Sequence, residues 1–158
     1  MGPLTTRGET TNQETDNPAR ARRAIEQVCS GRDLPSAPEL YDESFVDHVN
    51  GMTFEGLAGV HASVGMYRAI FPDLRFEVEE QVSEGDRVAS RWTLHGTYRG
   101  RRVTLQGMTI SRFADGRIVK DTGYSDTLGL VRQLGLLRSV ALGISWLTGR
   151  LKTPAASR

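Results

Sequence analysis

Residues 84–125 read EGDRVASRWTLHGTYRGRRVTLQGMTISRFADGRIVKDTGYS, and this stretch decides the fold. The run from Val88 to Tyr98 is rich in β-branched and aromatic side chains, as is the run from Val103 to Phe113, and each suits a long strand. Ile118 to Ser125 forms a third such run. Glu84-Gly85-Asp86, Arg99-Gly100 and Ala114-Asp115-Gly116 are turn signals that join these runs as hairpins. Just upstream, Leu74, Phe76, Val78 and Val82 recur with period two. The second half of the chain is therefore expected to be an antiparallel meander of four strands.

The segments before it read differently. Ala21, Ala24, Ile25 and Val28 share one helical face, entered at Asn17-Pro18 and stopped at Gly31. Residues 36–44 read as a short helix, and Phe45-Val46-Asp47-His48 as a short extended piece. Leu57, Val60, Val64, Tyr67 and Phe71 mark a second long helix that Pro72 ends. After Asp126-Thr127, Leu128, Leu130, Val131, Leu134 and Leu137 mark another. Helices first and a meander after them define an α+β layout. A curved, mostly antiparallel sheet closed by the early helices makes a cone, and an apolar cone is a small-molecule site. The expected organisation is a disordered tail over 1–17, whose polar composition cannot offset its ordering entropy, and a folded domain over 18–137. A C-terminal extension over 138–158 follows, partly helical, with its apolar side chains against a subunit interface.

Composition narrows the function. The 158 residues carry 20 basic and 19 acidic side chains, which disfavours binding to nucleic acid or anionic lipid. The lone cysteine, Cys29, forms no internal disulfide and reads as a packing residue. Met1-Gly2-Pro3-Leu4-Thr5-Thr6 fits the loose myristoylation pattern, but no basic or apolar segment follows to support an anchor. No signal-peptide pattern opens the chain, and the apolar stretch from Val140 to Leu151 is shorter than the roughly 20 residues a bilayer requires. A cytoplasmic protein is expected. Glycine-rich nucleotide loops, nucleophile elbows and metal-ligand spacings are absent from the sequence, so no cofactor and no metal are expected. Chemistry would then come from proton transfer and placement of the substrate.

Strand alternation selects the side chains that face the cone. On the last strand Asp121 and Gly123 share a face. If that face is interior, burial disfavours the charged form of Asp121 and makes it a better proton acceptor; otherwise it is an exposed carboxylate near a turn. Trp92 shares its face with Ser90 and Leu94, and its indole suits either stacking on a fused-ring substrate or plain core packing. Leu105, Gly107, Thr109, Ser111 and Phe113 form the matching face of the next strand, with Arg112 pointing away. Thr109 offers a polar group, Gly107 leaves room for a flat ligand, and Met66 and Ile70 on the long helix are candidate apolar walls. His61 and His95 are weaker candidates, and Arg101-Arg102 at a hairpin tip reads as solvated surface.

With these residues in place, the sequence resembles the SnoaL-like polyketide cyclases, relatives of the ketosteroid-isomerase cone fold. The resemblance is carried by Phe45-Val46-Asp47-His48, by Ile70-Phe71-Pro72-Asp73-Leu74-Arg75 and by Glu84 to Trp92. It continues through Phe113-Ala114-Asp115-Gly116-Arg117-Ile118-Val119 and Asp126-Thr127-Leu128-Gly129-Leu130. It implies a compact, commonly oligomeric protein holding a hydrophobic ligand in the cone, with the histidine that matches His48 pointing into the pocket. It also implies a tryptophan and then a catalytic acid at positions that are Thr122 and Gly123 here, and a longer loop where this chain has Tyr98-Arg99-Gly100-Arg101. The missing acid directs the expectation to the hydroxylase-type branch found in anthracycline pathways. The expected protein is a cofactor-independent hydroxylase of an aromatic polyketide, with Asp121 and His48 catalytic. A homo-oligomer is expected, with a partner reductase that prepares the substrate. A cyclase performing intramolecular aldol closure and a non-catalytic ligand carrier are the alternatives. Epoxide hydrolysis would need paired carboxylates with an arginine, which alternation does not place.

Overall fold

The structure, a computed structural model, describes residues 16–152. The rest of the expected tail and the last residues of the C-terminal extension lie outside the described residues. Helix α1 occupies 16–29, and its final stretch, Ala24–Cys29, is π-wound. Asn17 is already inside it rather than at a cap. A short 3₁₀ turn, Leu34–Ser36, leads into α2 (Ala37–Leu40), β1 (Tyr41–Val49), β2 (Met52–Glu55) and α3 (Gly56–Ile70). The meander is β3 (Arg75–Glu84), β4 (Arg87–Tyr98), β5 (Arg101–Ala114) and β6 (Arg117–Ser125), followed by α4 (Thr127–Leu134) and α5 (Leu136–Lys152).

The sheet has six strands in the order β2-β1-β6-β5-β4-β3. All neighbours are antiparallel except β1 and β6, which run parallel. The expected helix over 36–44 is thus confined to Ala37–Leu40, and the short extended piece is a nine-residue strand. The strand is masked in the sequence by an irregularity between Tyr41 and Val46, where the register with β6 shifts. Asp42 Oδ1 accepts the Ser44 backbone N–H (2.9 Å) and hydroxyl (2.6 Å) within that bulge. Period two is lost there, so no strand pattern is visible. β1 turns into β2 through Asn50-Gly51, both at positive φ, the two-residue turn whose twist matches a hairpin.

Two devices seat the helices on the sheet. The free edge of β3 is covered by α1 and its C-cap Ser30: Ser30 Oγ accepts from Phe76 N–H, Glu26 Oε1 accepts from Val78 N–H, and Arg22 donates to the Val78 carbonyl. This satisfies backbone groups that an open edge would expose. At the other end of the meander, Asp126 Oδ1 caps α4 through Gly129 N–H at 2.8 Å. Leu130, Leu134 and, from α5, Leu142 then join a core with Phe71, Leu94 and Leu105. A second core packs Ala24 and Val28 of α1 with Leu40, Tyr41, Phe45, Phe113 and Ile118. No described helix is long and apolar enough to cross a membrane.

Candidate active site

An interior cavity of about 60 Å³ lies between α1, α3 and the concave face of the sheet. Asp47 and Val49 reach it from β1, Asp121 and Gly123 from β6, Thr109 from β5 and Trp92 from β4. Ile25 and Cys29 of α1, Ser63, Val64 and Tyr67 of α3, and Phe76 complete the wall. None of these residues is cationic.

The chemistry is concentrated in two carboxyls. Asp47 and Asp121 are register partners across the parallel β1–β6 seam, so both point to the same side of the sheet. Asp121 is 7% exposed, and its Oδ1 is buried with no hydrogen-bond partner. Burial, then the neighbouring charge of Asp47, pushes Asp121 up to about 8, although a Ser111 hydrogen bond opposes this. Burial alone pushes Asp47 up to about 7. Both carboxyls are thus raised into the neutral range, where a protonated donor and an ionised acceptor can coexist in a single low-dielectric pocket. Beside them, Cys29 Sγ and the Tyr41 hydroxyl lie 3.5 Å apart. Burial pushes the Cys29 thiol up to about 12 and Tyr41 well above its usual value, so both stay neutral. Among the described residues no three His, Cys, Asp or Glu side chains are arranged to hold a metal ion.

The structure sorts the sequence candidates. Asp121, Trp92, Thr109 and Gly123 line the cavity. Gly107 lies beneath the Trp92 indole, where an added Cβ would sit 2.3 Å from Cη2. His48 is not in the cavity: it is exposed on the outer face, with Nδ1 3.1 Å from Thr53 Oγ1. Asp47 takes the interior place because it shares strand parity with Phe45 and Val49, both buried. That apolar parity is the signal that would have selected Asp47 over His48. Ser90 does not reach the cavity; it is fully buried and accepts a hydrogen bond from Gln81 Nε2. Ile70 belongs to the core and Met66 packs against it, so neither is a cavity wall. The paired carboxylates that alternation did not place are present, but no arginine accompanies them.

Two wider clefts, about 630 and 470 Å³, open on the outside of the molecule. In the first, Arg20 and Arg23 are engaged by Asp16, Asp33 and Glu39. In the second, Arg75 pairs with Glu77, and Asp73 accepts from Thr97.

A six-stranded mixed sheet folded round an acidic interior pocket and closed by N-terminal helices defines the ketosteroid-isomerase-like α+β class. A protein of that fold from Catenulispora acidiphila superposes with a TM-score of 0.64 at 15% identity, over 75% of this chain and 91% of that one. Within the class, the model of the SnoaL-like polyketide cyclases matches residues 19–134, and the chain belongs to that family. IdmH, a proposed polyketide cyclase from Streptomyces antibioticus, matches at 27% identity and TM-score 0.66, over 78% of this chain and 99% of its own. AclR, a proposed hydroxylase from Streptomyces galilaeus, matches at 22% and 0.65, over 83% and 98%. Comparison with curated protein sequences gives no match.

Proposed function

We propose that this chain is an acid–base catalyst of aromatic polyketide tailoring that closes a carbon ring by intramolecular aldol addition. The observation that carries the reading is the in-register pair Asp47 and Asp121 facing one cavity. The ionised member takes a proton from a carbon flanked by carbonyls. The enolate carbon attacks a second carbonyl carbon of the same substrate, forming the C–C bond. The protonated member gives its proton to the resulting alkoxide, and the pair again holds one proton. The raised pKa of both carboxyls suits this exchange near neutral pH. With Gly123 at the position where the family resemblance implies an acid, Asp47 and Asp121 are the carboxyls that line the same cavity.

A second reading, cofactor-independent hydroxylation of a polycyclic substrate, is favoured by Gly123 itself. There the same base makes the carbanion, dioxygen adds to give a hydroperoxide, and two electrons from a partner reductase with two protons yield alcohol and water. In either reading the chain works as a homo-oligomer.

Product mass separates the two. Cyclisation gives an isomer of unchanged mass, and hydroxylation a gain of one oxygen that labelled dioxygen supplies. Asp47→Asn and Asp121→Asn are each expected to lower kcat by about 10²–10⁴-fold. His48→Ala, altered on the outer face, is expected to keep the wild-type rate. Ligand binding without any turnover by the purified wild-type chain, and pathway flux unchanged by the Asp47→Asn/Asp121→Asn double variant, would identify a carrier instead.

A further inference from the structure

The cavity is small for the ligands its family suggests. Small-molecule pockets commonly measure about 300–1,000 Å³, and a water molecule's share of liquid volume is about 30 Å³. At about 60 Å³ this cavity holds a water or two. Among its lining residues the bulkiest is Trp92. Trp92 is 4% exposed and lies on the concave face of the sheet, at the cavity wall. Its ring rests on Gly107, the position where any side chain would collide with Cη2 and Cζ2. Its Nε1–H donates to Thr109 Oγ1 at 2.9 Å, and Phe76 meets it edge-on with centroids 5.0 Å apart. The indole is thus seated by a missing side chain, latched by one hydrogen bond and braced by one aromatic contact.

We propose that Trp92 determines the ligand specificity of the site: its indole occupies the volume that one ring of a fused-ring ligand takes, and it leaves its Gly107 seat for a polycycle to bind. This rests on reading the cavity as the polyketide site. The seat and the latch are separable from the carboxyl pair, which lies on β1 and β6 while Trp92, Gly107 and Thr109 lie on β4 and β5. A single-ring ligand needs less of the indole's volume than a fused one, so Trp92 discriminates by ring count. The ligand displaces an ordered aromatic group, so its apparent affinity is lowered by the fraction of molecules in which the seat is clear. The hydrogen bond and the edge contact each contribute roughly threefold to tenfold to that penalty.

The test is calorimetric titration of the full chain with 1,8-dihydroxyanthraquinone and with phenol as probes. Trp92→Ala is expected to bind the three-ring probe about tenfold or more tightly than wild type, and phenol within about twofold. Thr109→Val, which removes the latch with little change of volume, is expected to shift the three-ring probe in the same direction and guards against misfolding of the larger truncation. In a Trp146→Phe background, where Trp92 is the only indole, the three-ring probe is expected to change the Trp92 emission and phenol to leave it nearly unmoved. Equal affinity of wild type and both variants for the three-ring probe overturns the proposal. So does unmoved Trp92 emission while that probe binds, or a failure of that probe to bind any of the proteins. Binding as expected without turnover of a polyketide would instead remove the cyclase reading and leave Trp92 in its role.

Discussion

Asp47 and Asp121 tie the site to the stability of the protein. Both carboxyls are raised above the ordinary value near 3.9, so the folded state keeps protons that the unfolded chain has already released. Stability contributed by the protonated pair is therefore full below about pH 4 and is lost as pH rises through about 7 and about 8. Asp33, Asp42 and Asp73 are shifted the other way, by hydrogen bonds to Ser36, Ser44 and Thr97, and their contributions change only at lower pH. Wild-type Tm is expected to fall between pH 5 and pH 8. Asp121→Asn should reduce that fall by on the order of 2 kcal/mol, or about 4–8 °C. Thermal scans at the two pH values check this, and a wild-type Tm that does not change between them contradicts it. Asp121 was legible as a candidate because alternation in a regular strand places it beside Gly123. Asp47 was not, because its strand is irregular and His48 drew the attention that its exposed ring does not merit.

At the level of elements, the seam between β1 and β6 carries the site, and Asn50 fastens it. Asn50 Nδ2 donates to Ser125 Oγ at 2.7 Å, Ser125 N–H donates to Asn50 Oδ1 at 3.1 Å, and Asn50 N–H donates to the Gly123 carbonyl. Its φ of 48° lies in the left-handed region that asparagine tolerates better than most residues. Asn50→Ala removes both side-chain bonds and adds backbone strain, for an expected loss of about 2–3 kcal/mol by urea denaturation. Asn50→Gly, which keeps the conformation, should lose roughly half as much. Equal losses would mean that the hydrogen bonds alone matter at this turn. The meander β3 to β6, the long helix α3 and the helix after Asp126 were all legible, since each rests on local periodicity and turn chemistry. The first strand, and with it the Asn50-Gly51 hairpin, was read as a helix and a short extended piece. Parallel pairing of β1 with β6 overrides local preference there, and the bulge hides the alternation.

Among the described residues, exposed apolar side chains recur on α5 and on the outer face of the sheet. On α5, Leu137 is 87%, Ile144 58% and Leu147 61% exposed, with Val140 on the same helix. On the outer face of the sheet, Met108 and its cross-strand partner Tyr124 are exposed beside Ile110. Exposed apolar side chains gathered on one element mark a candidate interaction surface. Light scattering is expected to return a multiple of the single-chain mass, and Val140→Asp with Ile144→Asp to reduce it. A wild-type mass equal to one chain contradicts the homo-oligomer. An oligomer untouched by the double variant would place its contact on the outer sheet face.

The amino-acid sequence by itself determined the α+β class, the meander, the turns, and which side chains share a strand face, Asp121 with Gly123 and Thr109 with Gly107. These follow from period two, period 3.6 and turn residues, which act over a few residues at a time. Only the tertiary structure decided that Asp47 joins Asp121, that His48 faces outward, and that the Trp92 indole lies over Gly107. Each of those depends on pairing between segments far apart in the chain: β1 beside β6 for the two carboxyls, and β4 beside β5 for the indole on Gly107. Burial then raised both carboxyls well above the ordinary carboxylate range, which makes them a candidate acid–base pair.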